Sequence, residues 1–287
     1  MKKLFVLLLL VSQLTTAATW QEDLQSWKDS RVKSLTRPHG WLSLIGMEWF
    51  HNGDTSIGSA SDNGIVLPHG PDYIGTFNMV NGKITFKTNS DVLGLLTIND
   101  KPAEKSFNVM MDTQENTSVF KIDTFLFYVI ERGKPALRIK DSKAKTLEEF
   151  KGLDYFDVSS KFRVDAEFVT YSPEKDVEII NVLGLLTKDK SPGYLKFKIG
   201  EKYYQLDTLD AGDEFYLIFA DKTSGRSSYG PGRFLYVPKA KVDGSIKVDF
   251  NRAYNPPCAF TDYSTCPLPP PQNRIPVFIE AGEKKYQ

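Results

Sequence analysis

Apolar and polar residues along most of the chain alternate with the two-residue period of β-strands. The run Lys83-Ile84-Thr85-Phe86-Lys87 alternates strictly, and residues 119–130 form a strongly apolar stretch. Asn-Gly pairs at 52–53, 63–64 and 81–82 separate such runs, and this dipeptide tolerates the positive φ angles of tight hairpin turns. The pattern predicts an antiparallel β-sandwich or barrel over residues 41–145.

Helical spacing is clearest before this region, in residues 19–40. Trp20, Leu24, Trp27 and Leu35 fall near one face of a helix. Thr19 and the glutamate three residues later fit a capping box, in which each side chain satisfies a free amide of the first turn. The sequence therefore predicts an N-terminal helix that packs on the body of the fold and ends at the Arg-Pro-His-Gly run before Trp41.

A second β domain is predicted over residues 161–287, after a joint at 146–160. Apolar runs such as 162–171 and 194–199 recur there at the spacing of all-β domains. From Asn255 onward, seven prolines interleave with aromatic residues and cysteines, which favours a segment packed onto the domain. The predicted fold class is thus mainly all-β, with two β-sandwich or barrel-like units, an N-terminal helix and a Pro-rich C-terminal segment.

One run of six residues occurs twice. Val92–Thr97 and Val182–Thr187 both read Val-Leu-Gly-Leu-Leu-Thr. The identity indicates either a duplication of two β units or chance similarity between two Leu-rich strands.

The first 18 residues have the layout of a secretory signal peptide. Lys2 and Lys3 precede an apolar run from Leu4 to Val11, and small residues follow up to Ala18. Cleavage after Ala17 or Ala18 is expected, which predicts an exported protein, periplasmic or extracellular. No later segment is long and apolar enough to span a bilayer, so no integral membrane span is expected after cleavage.

The net charge of the chain limits the kinds of molecule that it is expected to bind. The chain has 36 basic and 36 acidic residues, and removal of Lys2 and Lys3 leaves 34 basic residues against 36 acidic ones. No whole-molecule field therefore attracts nucleic acid, although a local site for an anion remains compatible with this balance. The oligomeric state is not predictable from these features.

The two cysteines, Cys258 and Cys266, lie eight positions apart in the Pro-rich segment. In an oxidising compartment they can form a small-loop disulfide, and the alternative is a pair of buried thiols. Zinc is disfavoured because the spacing is wrong and no histidine is near, so no metal or cofactor is expected. His39, His51 and His69 are scattered and are interpreted as turn or surface residues.

Several motifs resemble one family of unknown function, DUF1684. They are Phe219–Gly225, Tyr229–Leu235, Asp249–Phe260, Cys266–Pro270, Gln272–Arg274 and Glu280–Glu283, with weaker counterparts at Gly40–Leu42, Leu137–Asp141 and Phe150–Phe156. This resemblance implies membership of a bacterial and archaeal family but no activity.

A second resemblance concerns residues 41–145, which look like the scaffold of forkhead-associated domains. It is carried by Ile57-Gly58-Ser59, Asp62–Pro68 and Ile98–Asp100. Ser59 replaces the phosphate-binding arginine of those domains, and the loop at 72–75 lacks their Ser-x-x-His. The scaffold is therefore expected without phosphopeptide binding.

Polar residues of the C-terminal motifs are the candidates for chemistry. The guanidinium of Arg233 can hold a carboxylate or phosphate, or it can form an internal salt bridge with Asp221 or Asp249. Strand alternation puts Asp249 and Asn251 on one face. The full candidate ligand-binding set is Asp221, Arg233, Asp249, Asn251, Tyr254, Asn255 and Asn273.

Three functional hypotheses follow. The first is a binding module that holds a small or anionic ligand in a C-terminal pocket. The second is a hydrolase-like enzyme using Asp221, Asp249 or Cys258, with Arg233 as electrostatic stabiliser. The third is a structural envelope protein whose motifs only hold the C-terminal segment in place. Catalytic residues cannot be assigned, because no G-x-S-x-G or glycine-rich phosphate motif is present.

Overall fold

A computed structural model describes residues 19–240 and 245–286, so the predicted signal peptide lies outside the described residues. Helix α1 (Trp20–Leu35) begins where the capping box predicts. The Thr19 hydroxyl accepts from the Glu22 N–H at 3.3 Å, and the Glu22 carboxylate accepts from the Thr19 N–H at 2.7 Å. Leu24 and Leu35 are each 1% exposed, which shows that the predicted apolar face packs on the body of the protein.

The first β unit contains two sheets. One has the order β3-β2-β4-β5-β8 and the other has the order β1-β11-β10-β9-β6-β7. The strands are β1 (Leu44–Trp49), β2 (Gly53–Gly58), β3 (Ile65–Val66), β4 (Gly75–Val80), β5 (Lys83–Thr88), β6 (Thr97–Ile98), β7 (Lys101–Pro102), β8 (Ser106–Asn108), β9 (Phe120–Ile122), β10 (Phe125–Glu131) and β11 (Pro135–Asp141). Their inward-facing side chains form one apolar core, in which Phe77, Phe86 and Phe120 are fully buried.

The hairpin between β4 and β5 follows directly from the sequence. Asn81 and Gly82 both have positive φ, at 53° and 77°. This is the backbone of a two-residue turn that matches the twist of paired strands. Ile84 and Phe86 point into the core while Lys83 and Lys87 are exposed, as strict alternation predicts.

The second β unit also contains two sheets, of order β14-β13-β12-β18 and β15-β16-β17. The strands are β12 (Arg163–Ile180), β13 (Leu186–Ile199), β14 (Lys202–Asp207), β15 (Leu209–Ala211), β16 (Glu214–Phe219), β17 (Arg233–Pro238) and β18 (Ile246–Asp249). A second apolar core lies between them and includes Leu195, Phe219 and Phe250. The chain is therefore mainly β, with α1 and one short helix, α2 (Lys145–Glu148), in agreement with the predicted fold class.

The repeated six residues have different structures in their two positions. Val92 ends a single 3-10 turn (Ser90–Val92) and is buried. Val182 and Leu183 lie in the turn between β12 and β13 and are about two-fifths exposed, at 40% and 41%. Both copies form a turn and then enter a strand, but only the second has a positive φ at its glycine, 78° at Gly184, so duplication and chance similarity both remain open.

The C-terminal segment, residues 255–286, packs onto the second unit as expected, and it also contacts the start of β1 in the first unit. Ile279 and Ala281 are completely buried in the second core. Phe260 contacts Leu35 of α1 and Leu42 ahead of β1. The predicted joint runs beside this segment, and the Phe156 N–H donates to the Gly282 carbonyl at 3.0 Å. The predicted boundary at residues 146–160 stays a prediction. No helix within the described residues is long and apolar enough to cross a membrane.

Candidate functional site

Arg233 begins β17 and is completely buried. Its Nη2 donates to Asp221 Oδ1 at 3.2 Å and to the Ile279 carbonyl at 3.0 Å. Its Nη1 donates to the carbonyls of Ala281 and Glu283. Arg233 thus forms the internal salt bridge that was one of the two alternatives from the sequence. Its guanidinium binds carbonyl groups of the C-terminal segment and faces no ligand cavity.

Asp221 has its oxygens fully occupied within the protein. They accept from the Thr223 N–H at 3.1 Å, from the Thr223 hydroxyl at 2.8 Å and from the Ile279 N–H at 2.8 Å, in addition to Arg233. Its side chain is 0% exposed. The prediction that Asp221 and Arg233 line an open pocket is therefore wrong, because both are sealed inside one hydrogen-bonded cluster.

The three candidate asparagines are also buried in the protein interior. Asn273 accepts from the Asp207 N–H at 2.8 Å and donates to the carbonyls of Asp207 and Ile218 at 2.9 and 3.0 Å. Asn255 donates to the Lys284 carbonyl at 2.8 Å. Asn273 is 2% exposed, ties β14 and β16 to the C-terminal segment, and borders only a cavity of about 10 Å³. Asn255 is 1% exposed and bonds within that segment.

Asn251, which precedes these two residues in the chain, forms hydrogen bonds of the same kind. Its Oδ1 accepts from the Ser159 N–H at 3.0 Å, and its Nδ2 donates to the Ser159 carbonyl at 3.0 Å. It is 2% exposed. This pairing fixes the predicted joint to the end of β18.

Asp249 and Tyr254 are the two candidates that line a cavity large enough for a small molecule. We call it the α1 groove, because α1 forms one wall and the strands of the second unit form the other; its volume is about 380 Å³. Its described lining comprises the aromatic residues Trp20, Trp27, Tyr236 and Tyr254, the cations Arg163, Lys239, Lys247 and Arg252, the acids Asp23, Glu214 and Asp249, and also Pro238 and Ser245.

Asp249 anchors α1 to the second unit. Trp20 Nε1 donates to Asp249 Oδ2 at 2.7 Å. Asn251 donates to the other oxygen, Oδ1, through its N–H at 3.1 Å and its Nδ2 at 2.8 Å. These bonds hold the first turn of α1 over the end of β18, so Asp249 has a structural partner for each oxygen and is poorly suited to act as a free base.

Among the cations that line the groove, Arg163 has the most hydrogen-bond donors without an acceptor in the described part of the chain. Strand pairing sets it opposite Asp249, yet its Nε is 3.9 Å from Asp249 Oδ2. It donates no side-chain hydrogen bond to any residue that the structure describes. Its guanidinium lies 5.2 Å from the centre of the Trp20 ring, and its side chain is 34% exposed. A guanidinium in this position presents several free donors to the groove.

The aromatic wall offers flat faces. Tyr236 and Tyr254 are nearly parallel, with an interplanar angle of 11° and centroids 6.3 Å apart. Tyr236 also stacks on Tyr216, its partner across β16 and β17, at 4.9 Å. Burial raises the pKa of Tyr254, so its phenol stays protonated at neutral pH. Tyr236 is 43% exposed, so part of this residue is accessible to solvent at the groove.

The remaining rim cations are engaged in ion pairs. Lys239 pairs with Asp210 at 2.7 Å, Lys247 pairs with Asp165, and Arg252 pairs with Asp23. Each pair is partly exposed, so each contributes little to stability and can open for a ligand at small cost.

The cysteines are free thiols in this structure, so the disulfide that the sequence offered as one alternative is not formed here. Cys266 is 5% exposed and Cys258 is partly exposed, so the alternative of two buried thiols holds for Cys266 alone. The Cys258 N–H lies 3.1 Å from Cys266 Sγ, and the Cys266 N–H lies 3.3 Å from Cys258 Sγ. The two side chains therefore lie side by side.

Sequence reasoning missed a pair in the first unit. His69 Nε2 lies 2.9 Å from Asp141 Oδ2, on the edge of a cavity of about 720 Å³. Asp123 lies 3.9 Å from the other ring nitrogen, and the ring packs on Phe125 at 4.6 Å. The partners are 72 positions apart, so no motif spacing could show them. No three His, Cys, Asp or Glu side chains converge as metal ligands within the described part of the chain.

These features define a mainly β protein in which a short aromatic and cationic groove lies between a helix and the strands of the second unit. Residues 148–284 match a family described as "Protein of unknown function (DUF1684)". The chain is also similar to the solution structure of an uncharacterised protein from Haloarcula marismortui, with 30% identity over 48% of this chain and 78% of that chain and a TM-score of 0.40. Through residues 148–284 the chain belongs to the DUF1684 family.

The family match begins at residue 148, so the resembling motifs at 40–42 and 137–141 lie outside it. No curated protein matches the chain significantly. The forkhead-associated scaffold of residues 41–145 stays a prediction.

Proposed function

We propose that this protein is exported and binds a small anionic ligand in the α1 groove. The observation that carries the proposal is Arg163, a partly exposed guanidinium without a hydrogen-bond acceptor among the described residues, set against the Trp20 ring. Guanidinium donors recognise carboxylate and phosphate groups through paired, charge-assisted hydrogen bonds.

The composition of the groove supports the same ligand class. Four cations and three acids line it, which leaves a small positive excess over the described lining. Aromatic faces at Trp20 and Tyr236 suit a ring or an apolar face of the ligand. A cavity of about 380 Å³ is at the lower end of the range for small-molecule sites, which runs from roughly 300 to 1,000 Å³.

Export is supported by the position of the predicted cleavage site relative to α1. Cleavage after Ala17 or Ala18 keeps Thr19, the capping residue of α1, and Trp20, the residue that binds Asp249. The mature chain would therefore retain the complete groove. Fractionation of producing cells and an intact mass of the protein check this: the expected product starts at residue 18 or 19, and a full-length product in the cytoplasm would contradict it.

Calorimetric titration with four named anions tests ligand binding: inorganic phosphate, pyrophosphate, citrate and glucose 6-phosphate, with glucose as the neutral probe. We expect at least one anion to bind and glucose alone to bind more weakly. Arg163→Gln should weaken binding by about 10- to 100-fold, because a charge-assisted hydrogen bond contributes about 1.5–3 kcal/mol.

Lys198→Gln is the matched control. Lys198 is an exposed cation of the second unit, paired with Glu201 at 3.1 Å, and it does not line the groove. Its replacement should leave affinity unchanged. Equal losses in the two variants would mean that only net charge matters, and absence of binding by all four anions would overturn the proposed ligand class.

The other hypotheses have less support. Asp221 and Arg233 have no access to a substrate, and Asp249 is engaged with Trp20 and Asn251, so the hydrolase hypothesis keeps only Cys258. The structural hypothesis accounts well for Arg233 and the buried asparagines but gives no role to the unused hydrogen-bond donors of Arg163.

A further inference from the structure

The two cysteines form a compact polar cluster inside an apolar surrounding. Cys258 lies in a 3-10 turn (Pro257–Ala259), and Cys266 directly precedes Pro267, whose backbone pairs with Asn181 at the end of β12. Cys266 packs in a small apolar cluster with Val177 and Phe234. The loop of 258–266 therefore has both ends fixed, and its two sulfurs are held next to each other.

Hydrogen-bond donors converge on Cys258. The Ser264 hydroxyl donates to Cys258 Sγ at 2.9 Å, and the Cys266 N–H lies 3.3 Å from the same sulfur. Ser264 itself is 2% exposed. A neutral thiol is a weak acceptor, whereas a thiolate accepts several donors strongly, so this arrangement fits an ionised Cys258.

The positive charge of one buried cation also acts on Cys258. Arg138, on β11, is 5% exposed and forms no ion pair with any carboxylate of the described residues. Its Nη1 donates to the Tyr128 hydroxyl at 3.3 Å, and its Nε has no partner there. Its guanidinium lies 5.3 Å from the centre of the Trp41 ring, and its positive charge would favour the thiolate form of Cys258.

The pKa values of the two thiols are shifted in opposite directions. The hydrogen bond from the Cys266 side chain, together with those from Ser264 and the Cys266 N–H and the charge of Arg138, lowers the pKa of Cys258 against the opposing effect of burial. The pKa of Cys266 is raised by its bond to Cys258 and by burial. Tyr229 and Tyr216 also face the pair; burial raises the pKa of both, so neither adds a charge at neutral pH.

We propose that Cys258 and Cys266 are a redox-active pair that reacts with small hydroperoxides, with Cys258 as the attacking thiolate and Cys266 as the resolving thiol. This activity is independent of the α1 groove. Cys258 is the partly exposed residue of the pair and meets the oxidant first, and the buried Cys266, held beside it, completes the reaction.

The two steps balance as follows. The Cys258 thiolate attacks the terminal oxygen of the hydroperoxide, an S–O bond forms and the O–O bond breaks. The alkoxide or hydroxide that leaves takes one proton from solvent, so the sulfur is oxidised to sulfenic acid and the peroxide is reduced to an alcohol or water. Cys266 then attacks the Cys258 sulfur, an S–S bond forms, the S–O bond breaks, and the Cys266 proton leaves with the hydroxyl group as water.

Hydrogen peroxide is the probe for a test on the reduced full chain. Peptide mass spectrometry should show a disulfide between Cys258 and Cys266 after one equivalent. In Cys266→Ser the reaction should stop at sulfenic acid on Cys258, which dimedone traps. In Cys258→Ser the remaining thiol should react at least tenfold more slowly than Cys258 does. Equal reactivity of the two thiols, or dimedone labelling at Cys266, would overturn the assignment of roles.

The pH profile of alkylation by iodoacetamide separates this proposal from a passive disulfide. Between pH 8 and pH 6.5 a free thiol with a pKa of about 8.5 slows roughly 20-fold, as its thiolate fraction falls. Cys258 should slow by less than about threefold, and Ser264→Ala, which keeps both thiols, should move its profile towards that of the free thiol. A profile in the native protein that matches free glutathione would overturn the proposal.

Discussion

The burial of Arg233 makes a quantitative prediction about the clamp on the C-terminal segment. Arg233→Met keeps a long unbranched side chain between the rings of Phe156 and Phe219, which lie 5.9 and 5.5 Å from the guanidinium. It removes the charge that faces Asp221, and it removes the donors to the carbonyls of residues 279, 281 and 283. The packing is therefore largely kept while the polar bonds are lost.

The expected loss is about 3–5 kcal/mol, because breaking a buried ion pair leaves the other charge unpaired. Asp221 keeps its bonds from Thr223 and from the Ile279 N–H, which holds the loss within that range instead of above it. A domain of this kind has a total stability of roughly 5–15 kcal/mol, so the effect should be plain in urea unfolding.

The double variant Arg233→Met with Asp221→Asn gives the sharper test. If an unpaired carboxylate causes the loss, neutralising Asp221 should recover at least about 1 kcal/mol, so the double variant should be more stable than Arg233→Met alone. Hydrogen exchange of residues 275–286 should rise first, since three of their carbonyls lose a donor. Arg226→Met, at an exposed arginine near Phe278, is the matched control and should stay within about 0.5 kcal/mol.

The reasoning fails if Arg233→Met costs less than about 1 kcal/mol, or if Asp221→Asn adds its own loss on top. Either result would mean that the pair contributes little to the fold.

Three further variants test other parts of the structure. Burial, with repulsion from Arg138, lowers the pKa of Lys140 to about 8, so the unfolded chain binds more protons than the folded one between pH 8 and 10.5. As the pH rises through that window, the free energy of unfolding of the native protein, measured in urea, should increase by up to about 3 kcal/mol relative to Lys140→Met. Gly232→Ala should lower the melting temperature strongly, because φ is +131° and a Cβ would lie 2.5 Å from Pro269. Burial alone would raise the pKa of Asp141, but hydrogen bonds from the Lys143 N–H and His69 hold that pKa below its usual value. Asp141→Asn should therefore lower the free energy of unfolding at pH 7, and most of this difference from the native protein should disappear at pH 3.

The parts of the fold that were predictable depend on local spacing. The capping box at Thr19 and Glu22 and the turn at Asn81 and Gly82 need only residues within a few positions of each other. Their physical cause, a free amide or a positive φ angle, is met by neighbouring residues. Alternation along β5 predicted that strand correctly, because one face of the strand is buried and the other is not.

The site was less predictable because the same polar residue types serve two purposes. Arg233 and Asn273 have the chemistry of ligand-binding side chains, yet both satisfy backbone groups of the buried C-terminal segment. Only the pairing of distant strands decides which side chain faces inward. Arg163 illustrates the converse: it lies in no motif, and its position beside Asp249 and Trp20 results from the register of β12 with β18 and from the docking of α1.

The buried motif residues and the α1 groove are linked through Glu283. Its carboxylate, which is fully buried, accepts from Arg31 of α1 at 2.9 Å and from the Asn255 N–H at 2.8 Å, while its carbonyl accepts from Arg233. The cluster around Arg233 therefore helps to hold α1, and with it the Trp20 wall, against the second unit. The polar residues of the C-terminal motifs therefore build the scaffold of the groove, whereas the ligand binding that we propose rests on Arg163, which those motifs do not contain. A variant that loosens Arg233 should consequently weaken ligand binding by displacing α1, even though Arg233 touches no part of the groove.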